Sequence, residues 1–140
     1  MRRFVFDTSV IVAGLRSRQG ASFRLLYLLH ERKLALACTP SLFLEYEDVL
    51  KRPEQRLAHK LSERQVDRFL AELAALLEPV EVHFQWRPQI ADADDEMVFE
   101  AAVNGGVDAL VTHNIGDFAQ AAKRFHLRVL TPGECLMEFL

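Results

Sequence analysis

The sequence predicts an α/β fold in which a mostly parallel sheet is covered by helices on both faces. Short apolar segments typical of buried strands alternate with longer segments of helical periodicity, which is the pattern of such sheets. Half of the 140 residues are hydrophobic, enough to bury one core without disulfides. Neither a repeat nor a Pro/Gly/Ser-rich linker interrupts this pattern, so we expect a single domain spanning residues 1–140.

The first elements are a strand, two helices and a second strand. Residues 3–6 (RFVF) are apolar enough for a buried strand. Helices are predicted at 9–16 and 21–32, where the apolar residues recur at helical spacing. The short apolar segment 34–38 (LALAC) predicts the second strand.

Two helices and a third strand are predicted in the middle of the chain. A helix starts at Pro40, since proline in a first turn loses no hydrogen bond, and it extends to residue 52. Residues 62–77 form a strongly amphipathic helix, and Ser62 followed by Gln65 has the pattern of a capping box. Strict alternation at 79–84 (PVEVHF) predicts a strand.

The last part of the chain repeats the alternation of helix and strand. Two glycines end a helix over 95–106, and DALVT at 108–112 is the next strand. A helix over 117–125, a strand over 127–130 and a final helix from residue 132 complete the prediction.

Composition excludes several classes of protein. No stretch of 18 or more apolar residues is present, and Asp7 interrupts the apolar N-terminal segment, so we expect neither a membrane span nor a signal peptide, and a cytoplasmic location follows. The formal net charge of −3 argues against a protein that coats nucleic acid generally. Cys38 and Cys135 are far apart and lack metal-site spacing, which predicts reduced, buried thiols.

Asp7 lies where an α/β protein builds its ligand site. It follows the first strand directly, and ligands of parallel sheets bind beyond the carboxyl ends of the strands. Capping of the next helix is an equally good explanation for this residue alone.

Asp95 is an acidic residue on the apolar side of its predicted helix. At 100° per residue, Glu96 and Glu100 fall on the opposite side and are expected to face solvent. Asp92 and Asp94 are better placed to cap the helix, so the position of Asp95 requires another explanation, and a functional one is favoured.

Other polar residues that follow strands leave alternatives open. Glu45 and Glu47 border opposite edges of the apolar stripe of their helix, and helical geometry does not choose between them. Four polar residues follow the fourth strand, where turn or cap chemistry also accounts for them: Thr112, His113, Asn114 and Asp117.

Several carboxylates at one edge of a sheet would repel one another, and a divalent cation removes that repulsion. Ligands that are all oxygen favour Mg²⁺ or Mn²⁺ over Zn²⁺. Such ions suit phosphoryl chemistry, because they activate water and neutralise phosphate oxygens.

Four segments, in order and over essentially the full length, resemble the PIN-domain nucleases, and in particular the VapC-like toxins of type II toxin–antitoxin modules. These segments are FVFDTSVIVAG, PSLFLEYEDVLKRP, ADADDEMVFEAAVNGGVDALVTHNIGDF and LRVLTPGECL. The resemblance implies a three-layer α/β/α sandwich. It also implies Mg²⁺-dependent cleavage of RNA by an activated water.

The resemblance further implies roles for individual residues. Asp7, Glu45 and Asp95 match the acidic metal ligands, so Glu45 is preferred to Glu47, and the small polar residues lining the site match Thr8, Ser9 and Thr112. Where the family commonly has an aspartate, this chain has Asn114, a neutral oxygen ligand at most. We expect Asp117 to supply the missing carboxylate as a catalytic residue and metal ligand.

The resemblance also implies partners: an RNA substrate, a cognate antitoxin protein and a second copy of the chain in a homodimer. The richest basic segment, a candidate RNA contact, contains Lys51, Arg52, Arg56 and Lys60, and further arginines near the first helix are Arg16, Arg18 and Arg24. Two alternatives stay open: a housekeeping PIN nuclease of RNA processing, and a catalytically weakened binding module, which Asn114 favours.

Overall fold

The computed structural model describes residues 1–85 and 89–140. Five strands form one sheet, and they are β1 (Arg3–Phe6), β2 (Ala35–Cys38), β3 (Glu78–Pro79), β4 (Ala109–Val111) and β5 (Val129–Leu130). Their spatial order is β3-β2-β1-β4-β5, and each neighbouring pair is parallel. The strand that precedes Asp7 is therefore the central one.

Helices of the described residues flank the sheet, and they are α1 (Thr8–Arg16), α2 (Ala21–His30), α3 (Pro40–Leu50), α4 (Pro53–His59), α5 (Glu63–Leu76), α6 (Ala93–Gly105), α7 (Ile115–Arg124) and α8 (Pro132–Met137). The predicted α/β/α architecture with a parallel sheet is confirmed. Within this part of the chain, none of the helices has the length and apolar character needed to cross a membrane.

The central strands are apolar because helices cover both of their faces. Phe4, Val5 and Phe6 of β1 are fully buried, as are all three residues of β4. A strand buried on both faces has a continuous apolar sequence rather than an alternating one. Cys38 and Cys135 are buried free thiols, as predicted.

Local capping follows the sequence closely. The hydroxyl of Ser62 accepts a hydrogen bond from the Gln65 N–H at 3.1 Å, and the Gln65 side chain accepts one from the Ser62 N–H at 2.9 Å. The predicted capping box of α5 is thus confirmed. Thr131 and Glu134 form the same arrangement at the start of α8.

The predicted strand over 79–84 is wrong for most of its length. The strand is limited to Glu78–Pro79, at the edge of the sheet. Beyond it, the Asn104 side chain of α6 accepts the N–H groups of His83 and Phe84 at 2.9 and 3.0 Å. These backbone groups are therefore satisfied by one amide side chain instead of a neighbouring strand.

The short helix α4 was not predicted. It ends where Lys60 adopts the left-handed conformation, with φ at 62°. The buried His59 ring fixes this end, because its Nε2 bonds the Leu50 carbonyl at 3.0 Å and its Nδ1 accepts the Leu61 N–H at 3.0 Å. The sequence signal that was available is Pro53, which occupies the first turn.

The prediction that Glu96 and Glu100 face solvent is wrong. Their exposed fractions are 5% and 7%. The segment before α6 folds over this side of the helix, and the Glu96 carboxylate accepts the N–H groups of Gln89 and Ile90, the latter at 2.8 Å. Both faces of α6 are thus covered, which a two-sided helical pattern does not anticipate.

Candidate active site

Asp7 is buried at the carboxyl end of the central strand, and two hydroxyl groups bind its carboxylate. Its exposed fraction is 5%. Both of these hydrogen bonds reach Oδ2, from the Ser9 hydroxyl at 2.9 Å and from the Thr112 hydroxyl at 2.7 Å. Asp7 occupies the N-cap position of α1, but its side chain accepts no capping hydrogen bond there. The carboxylate is therefore not used as a helix cap.

Thr112 connects Asp7 to the loop that follows β4. Its side chain is fully buried, and its hydroxyl also accepts the Asn114 N–H at 2.9 Å. The backbone N–H of Asp7 donates to the Val111 carbonyl at 2.9 Å, and Ser9 accepts the His113 N–H at 3.3 Å. The position of the Asp7 carboxylate is consequently fixed by the pairing of β1 with β4.

Asp95 lies in the first turn of α6, and Asp92 is the residue that caps this helix. The Asp92 side chain accepts the N–H groups of Asp94 and Asp95 at 2.8 and 3.2 Å. Partial burial, followed by the charges of Asp7, Asp92 and Asp117, raises the pKa of Asp95 from 3.8 to about 6. The carboxylates of three separated segments thus act on one another electrostatically.

Glu45 and Glu47 have different neighbours. Partial burial raises the pKa of Glu45, and the charge of Asp94 raises it as well. Glu47 is instead paired with Lys51, whose ammonium lies 3.1 Å from the Glu47 carboxylate and 2.7 Å from that of Asp67. Glu45 is thus under the electrostatic influence of the acidic start of α6, whereas Glu47 is in an ion pair with Lys51.

Asn114 and Asp117 are both exposed at the start of α7. Asn114 occupies the N-cap position but makes no capping hydrogen bond with its side chain. Asp117 lies in the first turn, and its charge is among those that raise the pKa of Asp95. The carboxylate of Asp117 therefore belongs to the same negative field.

The oxygen-rich donor set fits a hard divalent cation in chemistry, although the side chains do not already enclose one. Within residues 1–85 and 89–140, no three side chains of His, Cys, Asp or Glu converge as a ready metal site. A cation would have to draw the carboxylates of Asp7, Glu45, Asp95 and Asp117 closer together. Burial is the main cause of the raised pKa of Asp95, and a positive charge there would offset the further contribution of the neighbouring carboxylates.

The predicted basic segment divides into two parts. Lys51 is paired as described, and Arg52 lies 2.7 Å from the Asp48 carboxylate. Arg56 and Lys60 are exposed, and neither has an ion pair with a described residue. Positive charge available to a phosphate backbone is thus greater on α4 than at the end of α3.

Tyr46 of α3 supports the candidate site, although the sequence-based prediction does not include it. It is fully buried, and its hydroxyl donates a hydrogen bond to the Phe6 carbonyl, one residue before Asp7. Burial raises the pKa of Tyr46 well above its ordinary value, and the neighbouring Cys38 and Asp7 add to this. A tyrosine on the apolar side of a helix is the available signal, since its hydroxyl needs a partner when buried.

Comparison with known proteins agrees with the fold. A family model described as PIN domain matches residues 3–116. Among curated proteins, none is similar enough in sequence to count as a match.

Two solved structures share the architecture. One is a chain in the crystal structure of VapBC2 from Rickettsia felis bound to a DNA fragment from its promoter, with a TM-score of 0.63, 16% identity, and coverage of 92% of this chain and 98% of that one. The other belongs to VapBC-1 from nontypeable Haemophilus influenzae, with a TM-score of 0.62, 14% identity, and coverage of 94% and 98%. At these identities the likeness shows a shared fold.

Proposed function

Because this chain belongs to the PIN domain family, we propose that it is a metal-dependent endoribonuclease and the toxin of a toxin–antitoxin module. The observation that carries the proposal is that the charges of Asp7, directly after β1, and of Asp117 on α7 both add to the raised pKa of Asp95 on α6, so carboxylates from three separate parts of the chain act on one another. Carboxylates concentrated in this way favour binding of a divalent cation.

In this proposal Asp7, Glu45, Asp95 and Asp117 hold Mg²⁺ or Mn²⁺, with Asn114 as a neutral oxygen ligand. When bound, the cation would neutralise the charge of the phosphodiester and lower the pKa of the water that it binds. The chain supplies orientation. The hydroxyls of Ser9 and Thr112 satisfy Oδ2 of Asp7 and keep its carboxylate in one position before the cation arrives.

The toxin assignment draws on the resemblance to VapC-like proteins and on the two solved neighbours, which are chains of VapBC structures. On the same basis we propose a cognate antitoxin protein, a homodimer and action in the cytoplasm. One observation favours the alternative of a weakened binding module: Asn114 cannot supply negative charge.

The test compares Asp7→Asn, Asp95→Asn and Glu45→Gln with the wild type on RNA in Mg²⁺ and in EDTA. Glu47→Gln is the matched control, because Glu47 lies on the same helix but pairs with Lys51. We expect cleavage by the wild type and by Glu47→Gln, only with Mg²⁺, and its loss in the other three.

Circular dichroism shows whether each variant remains folded. Equal cleavage by all preparations would indicate a contaminating nuclease and would remove the catalytic proposal. Induced expression in a host cell tests the toxin assignment: growth should stop with the wild type and continue with Asp7→Asn.

A further inference from the structure

A groove of about 450 Å³ opens directly beside the candidate active site. Its polar walls come from α1, from α4 and from the loop after β4, and they include Ser9, Arg16, Gln55, His113 and Asn114. Ser9 donates to the Asp7 carboxylate, and the Asn114 N–H donates to Thr112. The groove and the acidic cluster therefore share a wall, and a molecule in one lies next to the other.

Arg16 is the positive charge of this groove, and it is oriented without being neutralised. Its Nη2 donates to Oε1 of Gln55 at 2.9 Å, which links the last turn of α1 to α4. Within the described part of the chain, no carboxylate lies within 4.0 Å of its guanidinium. Arg52, in contrast, is paired with Asp48. A neutral partner leaves the full charge of Arg16 available to an anion.

The remaining walls suit a sugar and a base. Val12, Ala13 and Val49 contribute apolar surface. The imidazole of His113 is held by the Ser22 hydroxyl, 3.1 Å from Nε2, and presents an aromatic ring on which a base can stack. The volume is at the lower end of the range for small-molecule sites, which is adequate for one nucleotide and too small for a folded partner.

We propose that this groove binds the nucleotide adjacent to the cleaved phosphodiester of single-stranded RNA, and that Arg16 binds the phosphate of that nucleotide. The inference rests on the proposed nuclease function. The guanidinium of Arg16 would attract the phosphate of the RNA, which the nearby carboxylates of Asp7 and Asp95 would otherwise repel. A bound metal ion would neutralise the phosphate that is cleaved, and Arg16 would bind the next phosphate along the strand.

The test uses Arg16→Gln, Arg16→Lys and the charge-matched control Arg32→Gln. Arg32 follows α2 and precedes β2, so it lies at the amino edge of the sheet, opposite Asp7. Binding of a fluorescein-labelled short single-stranded RNA is measured by anisotropy in EDTA over a range of salt concentrations. Cleavage of the same RNA is then measured in Mg²⁺, with KM and kcat determined separately.

We expect Arg16→Gln to weaken binding and raise KM about tenfold with little change in kcat, since it removes one charged contact. The slope of log Kd against the logarithm of the salt concentration should fall by about 0.7, which is the contribution of one phosphate contact on a single strand. Arg16→Lys should keep the salt dependence of the wild type while losing part of the affinity, because the amine retains the charge but not the fork. Arg32→Gln should match the wild type.

The two proposals fail in different ways. If the wild type cleaves RNA and Arg16→Gln equals it in Kd, KM and salt dependence, the groove inference is overturned and the nuclease stands. If no preparation cleaves RNA but Arg16→Gln still loses affinity and salt dependence, the groove binds RNA and the nuclease proposal is overturned. An equal loss in Arg32→Gln would also overturn the inference, because the effect would then be general electrostatics.

Discussion

Replacement of Asp95 by asparagine should stabilise the protein in the absence of metal while removing its proposed activity. The carboxyl of Asp95 has a pKa raised from 3.8 to about 6 by partial burial and by neighbouring carboxylates. The folded state therefore holds this proton more tightly than the unfolded state. The stability that the proton provides is fully present below pH 3.8 and is lost as the pH rises through about 6.

The size of the effect follows from the pKa. At about 1.36 kcal/mol per pH unit, the rise to about 6 corresponds to an upper value of ~3 kcal/mol. Asp95 is only half-buried, so solvent screening reduces this to about 1 kcal/mol. For a chain of this length the corresponding change in Tm is roughly 4 °C.

The assay is urea and thermal unfolding in EDTA at pH 7.5 and at pH 4. The control is Glu63→Gln, which also removes a carboxylate from the first turn of a helix, α5, and corrects for the loss of its interaction with the helix dipole. The free energy of unfolding of Asp95→Asn should exceed that of this control by about 1 kcal/mol at pH 7.5, and the difference should be much smaller at pH 4. Added Mg²⁺ should raise the Tm of the wild type more than that of Asp95→Asn. An Asp95→Asn protein that is no more stable than Glu63→Gln at pH 7.5 would refute the electrostatic argument.

Three further predictions concern single side chains. Tyr46→Phe should lower the free energy of unfolding by about 1–3 kcal/mol in urea, because the buried Phe6 carbonyl loses its donor; an unchanged midpoint would contradict this. Lys60→Gly should raise stability by roughly 0.5–1 kcal/mol, since glycine accepts the left-handed conformation without strain; a lower Tm would count against it. Asn114→Asp should tighten Mg²⁺ binding several-fold in calorimetry, because it adds a charge to the acidic field; an unchanged Kd would exclude Asn114 from the site.

Much of the fold was predictable because its signals are local. The apolar strand before Asp7 and the Ser62 capping box depend on residues close in sequence, and both are found as predicted. The prediction of a strand over 79–84 failed because the alternation of apolar and polar residues cannot show that the Asn104 side chain, 20 residues after Phe84, binds this backbone in place of a neighbouring strand. The prediction that Glu96 faces solvent failed for the same kind of reason, because its hydrogen-bond partner Ile90 lies in an irregular segment.

The candidate site was predictable in part. The end of a central strand and the apolar face of a helix make Asp7 and Asp95 candidates from the sequence, and in the structure the charge of Asp7 adds to the raised pKa of Asp95. The contact between Asp7 and Thr112 needs the order of the strands, because the two residues are 105 positions apart. The groove at Arg16 needs the packing of α1 against α4, which includes a helix that the sequence did not reveal.

The pairing of β1 with β4 also determines when, during synthesis of the chain, the Asp7 carboxylate can be positioned. Asp7 is translated 105 residues before the threonine that holds it in place. While β4 is still inside the ribosomal tunnel, the nascent polypeptide contains Asp7 and the neighbouring strand β2, but it lacks the strand that leads to Thr112. A chain that ends before β4 would therefore lack the Thr112 hydroxyl, and Ser9 would be the remaining donor to the Asp7 carboxylate.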